Sequence, residues 1–256
     1  MFFGACADLH IGSKYHRPEE LKDYAQQVYA AGGQRIFVAG DLLDGTKVYE
    51  GQEFELTHQG FDEQAQALID TLPAHPGLVW TFIAGNHDAS FHKRVGLEPG
   101  EALVSRASAQ GRKDLHYLGS EDAFVWYGGK HDGEGILIEL YHPRKAGAYA
   151  LSYHLQGYIN AMQPGQKPQL LISGHEHSSF FMRYRNVYAL KPGTFQSQTP
   201  LMVRLRLMPA LGASILRVKC SDDWSIRSCQ CEDIPYFGAE GPRASAANKP
   251  ARGATK

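Results

Sequence analysis

The sequence has too few cysteines for a disulfide scaffold, no apolar run of membrane-spanning length, almost no net charge and no internal repeat. Its four cysteines are Cys6, Cys220, Cys229 and Cys231. A disulfide framework needs a denser, paired pattern. Cys229-x-Cys231 lacks the further sulfur ligands of a structural zinc site, and Cys6, inside an apolar run, reads as a small buried hydrophobe. Without a long apolar run there is no candidate spanning helix, and Met1 leads into a short strand with no signal-peptide pattern. The expected location is therefore cytoplasmic, with no membrane partner. A formal net charge of −1 excludes strong general attraction to nucleic acid. Arg243, Lys249, Arg252 and Lys256 against Glu240 give the last nineteen residues +3 and leave the body at −4, so any nucleic-acid affinity has to be local to a cleft.

What is present is an ordinary globular composition, 43% hydrophobic and 21% charged over 256 residues, enough for a sizeable core. Phe2–Ala7, Arg35–Ala39 and Leu78–Ala84 read as buried strands. Between them Pro18–Ala31 and Phe61–Leu72 carry helical spacing, with Pro18 suited to a first turn. Strand, helix, strand, helix, strand implies crossovers and a mainly parallel sheet. Leu115–Tyr141 is strand-rich around a Gly128-Gly129 turn, Ala148–Met162 reads as a helix and Gln169–Ser173 as a strand. Phe180–Leu190 reads as a hairpin turning near Arg185-Asn186, with late strands at Ala213–Lys219 and Trp224–Cys229. The whole is an α/β sandwich over residues 1–237. The Ala/Gly/Pro/Lys-rich stretch 238–256 reads as a disordered tail. Polar excursions at Gly45–Gly60 and Ala89–Asp114 read as loops overhanging a site.

Four polar clusters stand where predicted strands end: Asp8-Leu9-His10, Gly40-Asp41-Leu42-Leu43-Asp44, Gly85-Asn86-His87-Asp88 and Gly174-His175-Glu176-His177, with a lone His142 before the last. Ligands of open α/β sheets bind beyond the carboxyl ends of strands, and Asp8/His10 and His175/His177 have spacings that project to one side of extended backbone. Aspartate, asparagine and histidine without thiolate suit Mn²⁺, Fe, Zn²⁺, Co²⁺ or Ni²⁺, with Mn²⁺ favoured for activity. One Gly-Asn-His-Asp alone is an ordinary turn; the conjunction points to a metal site.

In order, these motifs resemble the calcineurin-like metallophosphoesterase superfamily over roughly residues 1–200. Asp8–Ser13 is further similar to the phosphoesterase module of archaeal replicative polymerase small subunits, and Gly193–Pro200 to archaeal and phage members. The resemblance implies a four-layer α/β/β/α sandwich with two mixed sheets and two divalent ions at the strand C-terminal edge. Carried over, Asp8, His10 and His177 hold one ion, Asn86, His142 and His175 the other, and Asp41 bridges them; His131 is an alternative to His142. Asp8 and Asp41 only half compensate two divalent ions, so the site attracts phosphate and lowers the pKa of a bridging water. The expected reaction is attack on phosphorus by that hydroxide, with His87 as general acid supported by Asp88.

Asp44 reads as a supporting residue or a helix start. Arg144 and Lys145 are candidates to grip substrate phosphate. His16, His58 and His92 are candidates to reach in from loops, Tyr15 and Tyr49 to stack on a base, and Glu176 is expected to point away from the ions. The expected substrate is a phosphate ester, a nucleotide or nucleic acid among them, with diesters ahead of monoesters. The competing functions are a nuclease and a non-catalytic scaffold subunit of a replication or repair complex.

Overall fold

The computed structural model describes residues 1–131, 133–144 and 150–236. The first sheet has strand order β11-β10-β1-β2-β3-β4, formed by β1 (Phe2–Cys6), β2 (Arg35–Ala39), β3 (Val79–Ala84), β4 (Leu115–Ser120), β10 (Gly212–Cys220) and β11 (Ile226–Pro235). The second runs β5-β6-β7-β9-β8, from β5 (Asp122–Gly128), β6 (Gly135–Tyr141), β7 (Leu170–Ser173), β8 (Ser179–Tyr184) and β9 (Val187–Pro192). Both sheets are mixed. β1 to β4 are parallel, as are β6, β7 and β9, while β10, β11, β5 and β8 join antiparallel.

Burial on both faces makes the central strands short continuous apolar runs. Phe3, Ala5, Phe37 and Ile83 of the first sheet meet Ile138, Leu140, Leu170 and Ile172 of the second in the middle of the molecule. The other face of the first sheet is covered by α1 (Pro18–Ala30), α2 (Gly60–Thr71) and α4 (Pro99–Ala109), whose Leu21, Leu68 and Leu103 join one apolar cluster. Leu155 and Ile159 of α5 (Tyr153–Ala161) cover the outer face of the second sheet. These four layers match the expected α/β/β/α architecture.

Three expectations change. The excursion 89–114 is helical: α3 (Ala89–Val95) and α4, whose inner face rests on Leu103 and Ala107 among polar neighbours, too few apolar positions for a clear period. β11 runs on to Pro235 because a ladder with β10 holds it, although Gln230, Glu232 and Asp233 interrupt any apolar run. A short helix α6 (Pro200–Leu205), capped by the Thr199 side chain, was not legible as such. The excursion 45–60 is pinned: Gln52 donates to the Asp44 carbonyl at 2.7 Å and Gln64 to that of Gly45 at 2.9 Å. The stretch 238–256 lies outside the described residues. Among those described, no helix is long and apolar enough to cross a membrane.

Candidate metal centre

Asp8, Asp41 and Asn86 each stand two residues past the end of β1, β2 and β3. Since these strands are parallel neighbours, the three side chains share one edge. His142 directly follows β6, and His175 lies two residues past its parallel neighbour β7, so the second sheet adds its ligand candidates at the same edge. The sheets are tied together there. His142 Nδ1 donates to the Ala39 carbonyl at 2.7 Å, and both Asp8 carboxylate oxygens accept from the His175 amide at 3.0 and 2.9 Å.

The backbone is contorted at these positions. Asp8, His10, Asp41, His175 and His177 all have φ between 49° and 77°, a left-handed conformation that side-chain-bearing residues rarely adopt. Such strain persists only where its surroundings enforce it, and it collects at functional sites. Gly85 explains part of the enforcement: a Cβ there would collide with the Asp41 amide and carboxylate.

Three overlapping clusters result among the described residues. Asp8, His10 and His177 have donor atoms within 4.8 Å of one another, and so do Asp41, His142 and His175, and His10, Asp41 and His87, the last linking the other two. His10 and His177 face each other Nε2 to Nε2 at 3.1 Å, and the Asp8 carboxylate lies 3.6 Å from His177. Asp41 is central: its Oδ2 is 3.1 Å from His142 Nε2 and 4.0 Å from His10 Nε2, and its Oδ1 accepts from the His87 amide at 2.8 Å. Asn86 Oδ1 is 3.1 Å from His142 Nε2. All seven predicted ligand positions therefore converge, and His142 rather than His131 is in the cluster.

The tautomers are set from outside the cluster. The Ala39 carbonyl holds Nδ1 of His142, and Asp44, fully buried, accepts from Nδ1 of His10 at 2.9 Å. Each bond turns Nε2 inward, the orientation that metal-binding histidines take from a second partner. Burial pushes His10, His175 and His177 down as bases, His175 to about 4, so they are neutral donors at neutral pH. His142 behaves oppositely: burial opposes its charge, but Asp41 and then Asp8 raise it to about 10. Burial would also raise the Asp41 carboxyl, yet His142, then His87, hold it well below its ordinary range. Carboxylate and amide oxygens with imidazole nitrogens around two adjoining points fit divalent transition ions once His142 has given up its proton.

The remaining candidates separate. His87 lies at the rim, its Nδ1 donating to the Asp44 carbonyl at 2.7 Å, which leaves Nε2 available. Asp88 does not take the expected supporting place. Its carboxylate accepts from the buried amides of Leu42, Leu43 and Gly85 at 3.1, 2.8 and 2.9 Å, and the carboxylate nearer the His87 ring is that of Asp44, at 3.8 Å. Burial, then the Asp41 charge, pushes Asp88 up to about 7 against those amides. Asp88→Ala would strand all three donors, an expected cost of about 3–5 kcal/mol. For a chain of this size that lowers Tm by roughly 6–20 °C, readable by calorimetry. A Tm within 2 °C of the parent would refute this structural role.

Arg144 is exposed and clamped by Glu121 at 2.8 Å, and Lys145 lies outside the described residues. His58 and His92 are exposed, the latter 3.6 Å from Glu98, while His16 is anchored to the Leu9 carbonyl at 2.7 Å. Tyr49 donates to Glu55, its ring 6.5 Å from that of His87, and Tyr15 is half-buried. Glu176 turns toward Lys191 at 2.7 Å and His154 at 3.1 Å. Sequence reasoning missed the Gln196 amide, which reaches Asp44 Oδ1 at 3.2 Å, and the Thr194 hydroxyl, which donates to the Asp8 carbonyl at 2.8 Å. The motif Gly193–Pro200 marked both, without a role.

Residues 1–179 match the calcineurin-like phosphoesterase family, and the chain belongs to it. Among curated proteins it is similar to the DNA polymerase II small subunit of Methanothermobacter thermautotrophicus, 26% identical over 246 residues, covering 80% of this chain and 50% of the relative. The corresponding subunit of Halobacterium salinarum is 29% identical over 234 residues, 79% of this chain and 45% of that one. The chain thus spans about half the length of these relatives. Among solved structures it resembles an archaeal phosphodiesterase, with 13% identity, TM-score 0.49 and coverage of 92% and 100%. Yfce, a phosphoesterase from E. coli, gives 16%, 0.45, 90% and 98%.

Proposed function

We propose that the chain is a dinuclear metal-dependent phosphodiesterase, with residues 1–237 as its catalytic unit. The observation that carries this reading is the convergence of Asp8, His10 and His177 beside Asp41, His142 and His175 at one strand edge. In this reading Asp8, His10 and His177 hold one ion, Asn86, His142 and His175 the other, and Asp41 is shared. Two divalent ions, Mn²⁺ in the assay, would supply a water of lowered pKa and charge compensation for the phosphoryl group. The chain's own part is positional. Asp44 fixes the His10 and His87 rings, and His87, its Nδ1 engaged, directs Nε2 outward to protonate the leaving oxygen. Hydrolysis of bis-p-nitrophenyl phosphate faster than p-nitrophenyl phosphate with Mn²⁺ tests the assignment. Faster monoester cleavage would overturn the diester preference.

A pH dependence follows from His142. Its raised pKa means that the metal-free protein carries that proton at pH 7, and binding through Nε2 must expel it. Proton competition weakens as pH rises toward about 10, so affinity for Mn²⁺ rises, by about tenfold per unit for one proton. Calorimetry at pH 7 in two buffers of different ionisation enthalpy should register at least one proton released per chain; none would refute the His142 assignment.

A second reading, a subunit that docks on a larger protein, has its own observation. Val203, Leu205, Leu207 and Met208, on α6 and the turn after it, are 57%, 59%, 49% and 81% exposed. Contiguous exposed apolar side chains with interleaved Arg204 and Arg206 are typical of interfaces. The curated relatives are small subunits of a polymerase, which suits a partner of that kind. If this patch drives association, Leu205→Asp with Met208→Asp should abolish concentration-dependent assembly in light scattering while Tm is kept. Unaltered assembly would remove the patch from consideration.

A further inference from the structure

A cavity of about 520 Å³ opens between α5 and the ends of β5 and β6, and its wall reaches from solvent to His142. Its size falls in the range of small-molecule sites. One side is flat and aromatic. The Tyr141 ring lies parallel to that of Tyr158, centroids 4.0 Å apart and planes 9° apart. The Tyr158 hydroxyl donates to the buried Glu139 at 2.5 Å, which fixes the pair. Tyr153, on the first turn of α5, is 66% exposed and free of the core. Asp122, exposed at the start of β5, also lines the cavity.

Gly157 sits inside α5, is exposed and lines the cavity, and a Cβ built on it would meet no described residue within 4 Å. A side chain introduced there would enter open space without displacing a described neighbour.

We propose that this cleft is the subsite for the nucleoside attached to the reacting phosphorus, the base lying against the tyrosines and a sugar hydroxyl or base amino group donating to Asp122. The inference rests on the phosphodiesterase reading and names its substrate class. The walls choose the ligand. Flat π faces take a base of any sequence, and carboxylates accept from hydroxyl and amino donors. A further phosphate is disfavoured, because Asp122 repels it and Arg144, the arginine among the described lining residues, is engaged by Glu121. A terminal nucleoside fits these described walls better than a continuing strand.

The test compares thymidine 5′-p-nitrophenyl phosphate with methyl p-nitrophenyl phosphate, using the full chain and Mn²⁺. Tyr153→Ala and Gly157→Phe should each lower the ratio of kcat/KM for the thymidine ester over the methyl ester by about tenfold, the scale of one base–aromatic stack, through KM rather than kcat. Calorimetry of thymidine 5′-monophosphate with chelator-treated protein supplies a readout independent of activity. Binding should weaken in both variants while Tm stays within 2 °C, since Tyr153 is exposed and a side chain added at Gly157 enters open space. An unchanged ratio in both variants, or unchanged nucleotide binding, would overturn the proposal. If the parent hydrolyses neither ester, the phosphodiesterase reading fails, whereas the calorimetric arm still decides the nucleoside site.

Discussion

Replacing Asp41 by alanine is expected to lower diester hydrolysis by at least 10²–10³-fold, roughly the loss seen when one preorganised charge-stabilising group is removed. The reason is its position. One carboxylate oxygen faces His142 at 3.1 Å and His10 at 4.0 Å, and the other accepts from the His87 amide at 2.8 Å. The same substitution therefore disturbs both ligand clusters and the turn carrying the proposed acid. It should also reduce the number of bound ions per chain, which a structural defect confined to the acid would not do. Metal analysis, rate and Tm measured on one preparation separate these effects. Full activity with a full metal complement in Asp41→Ala would remove the shared ligand from the scheme.

The second large effect concerns His87. Its Nδ1 is engaged by the Asp44 carbonyl at 2.7 Å, so Nε2 is the nitrogen available to a leaving oxygen. His87→Ala should slow alkyl and nucleoside diesters by about 10²–10⁴-fold, the usual contribution of a general acid. The loss should be far smaller for p-nitrophenyl esters, whose leaving group departs without a proton. Plotting log kcat against leaving-group pKa for parent and variant checks this. A steeper slope in His87→Ala is expected, and parallel lines would reject the acid role.

The fold was legible where burial wrote it plainly. β1, β2, β3 and β7 are short apolar runs that end in polar ligand types, so both the strands and the shared edge followed from the sequence. Elements held by backbone ladders or a thin apolar stripe were hidden: the polar half of β11, and α4 with only Leu103 and Ala107 as buried inner hydrophobics beyond its first turn. The ligand candidates were legible as pairs with fixed spacing, but their support was not. Asp44, Gln196 and Thr194 reach the centre through tertiary contacts at 2.9, 3.2 and 2.8 Å that no local spacing reveals. Asp88 shows the same limit in reverse. Its place in Gly-Asn-His-Asp suggested support for its neighbour, whereas its carboxylate turns to the amides of Leu42 and Leu43, forty-odd residues away. The left-handed backbone at Asp8, Asp41 and His175 is equally silent in sequence, because glycine, its usual signal, stands beside Asp41 and His175 rather than at them.

The most direct test of the central claim is a count of ions. Titration of the chelator-treated full chain with Mn²⁺, followed by calorimetry and by metal analysis after desalting, should give two ions per chain. Diester hydrolysis should rise with the second ion. A stoichiometry of one or none, with hydrolysis unaffected by added Mn²⁺, would contradict the dinuclear account.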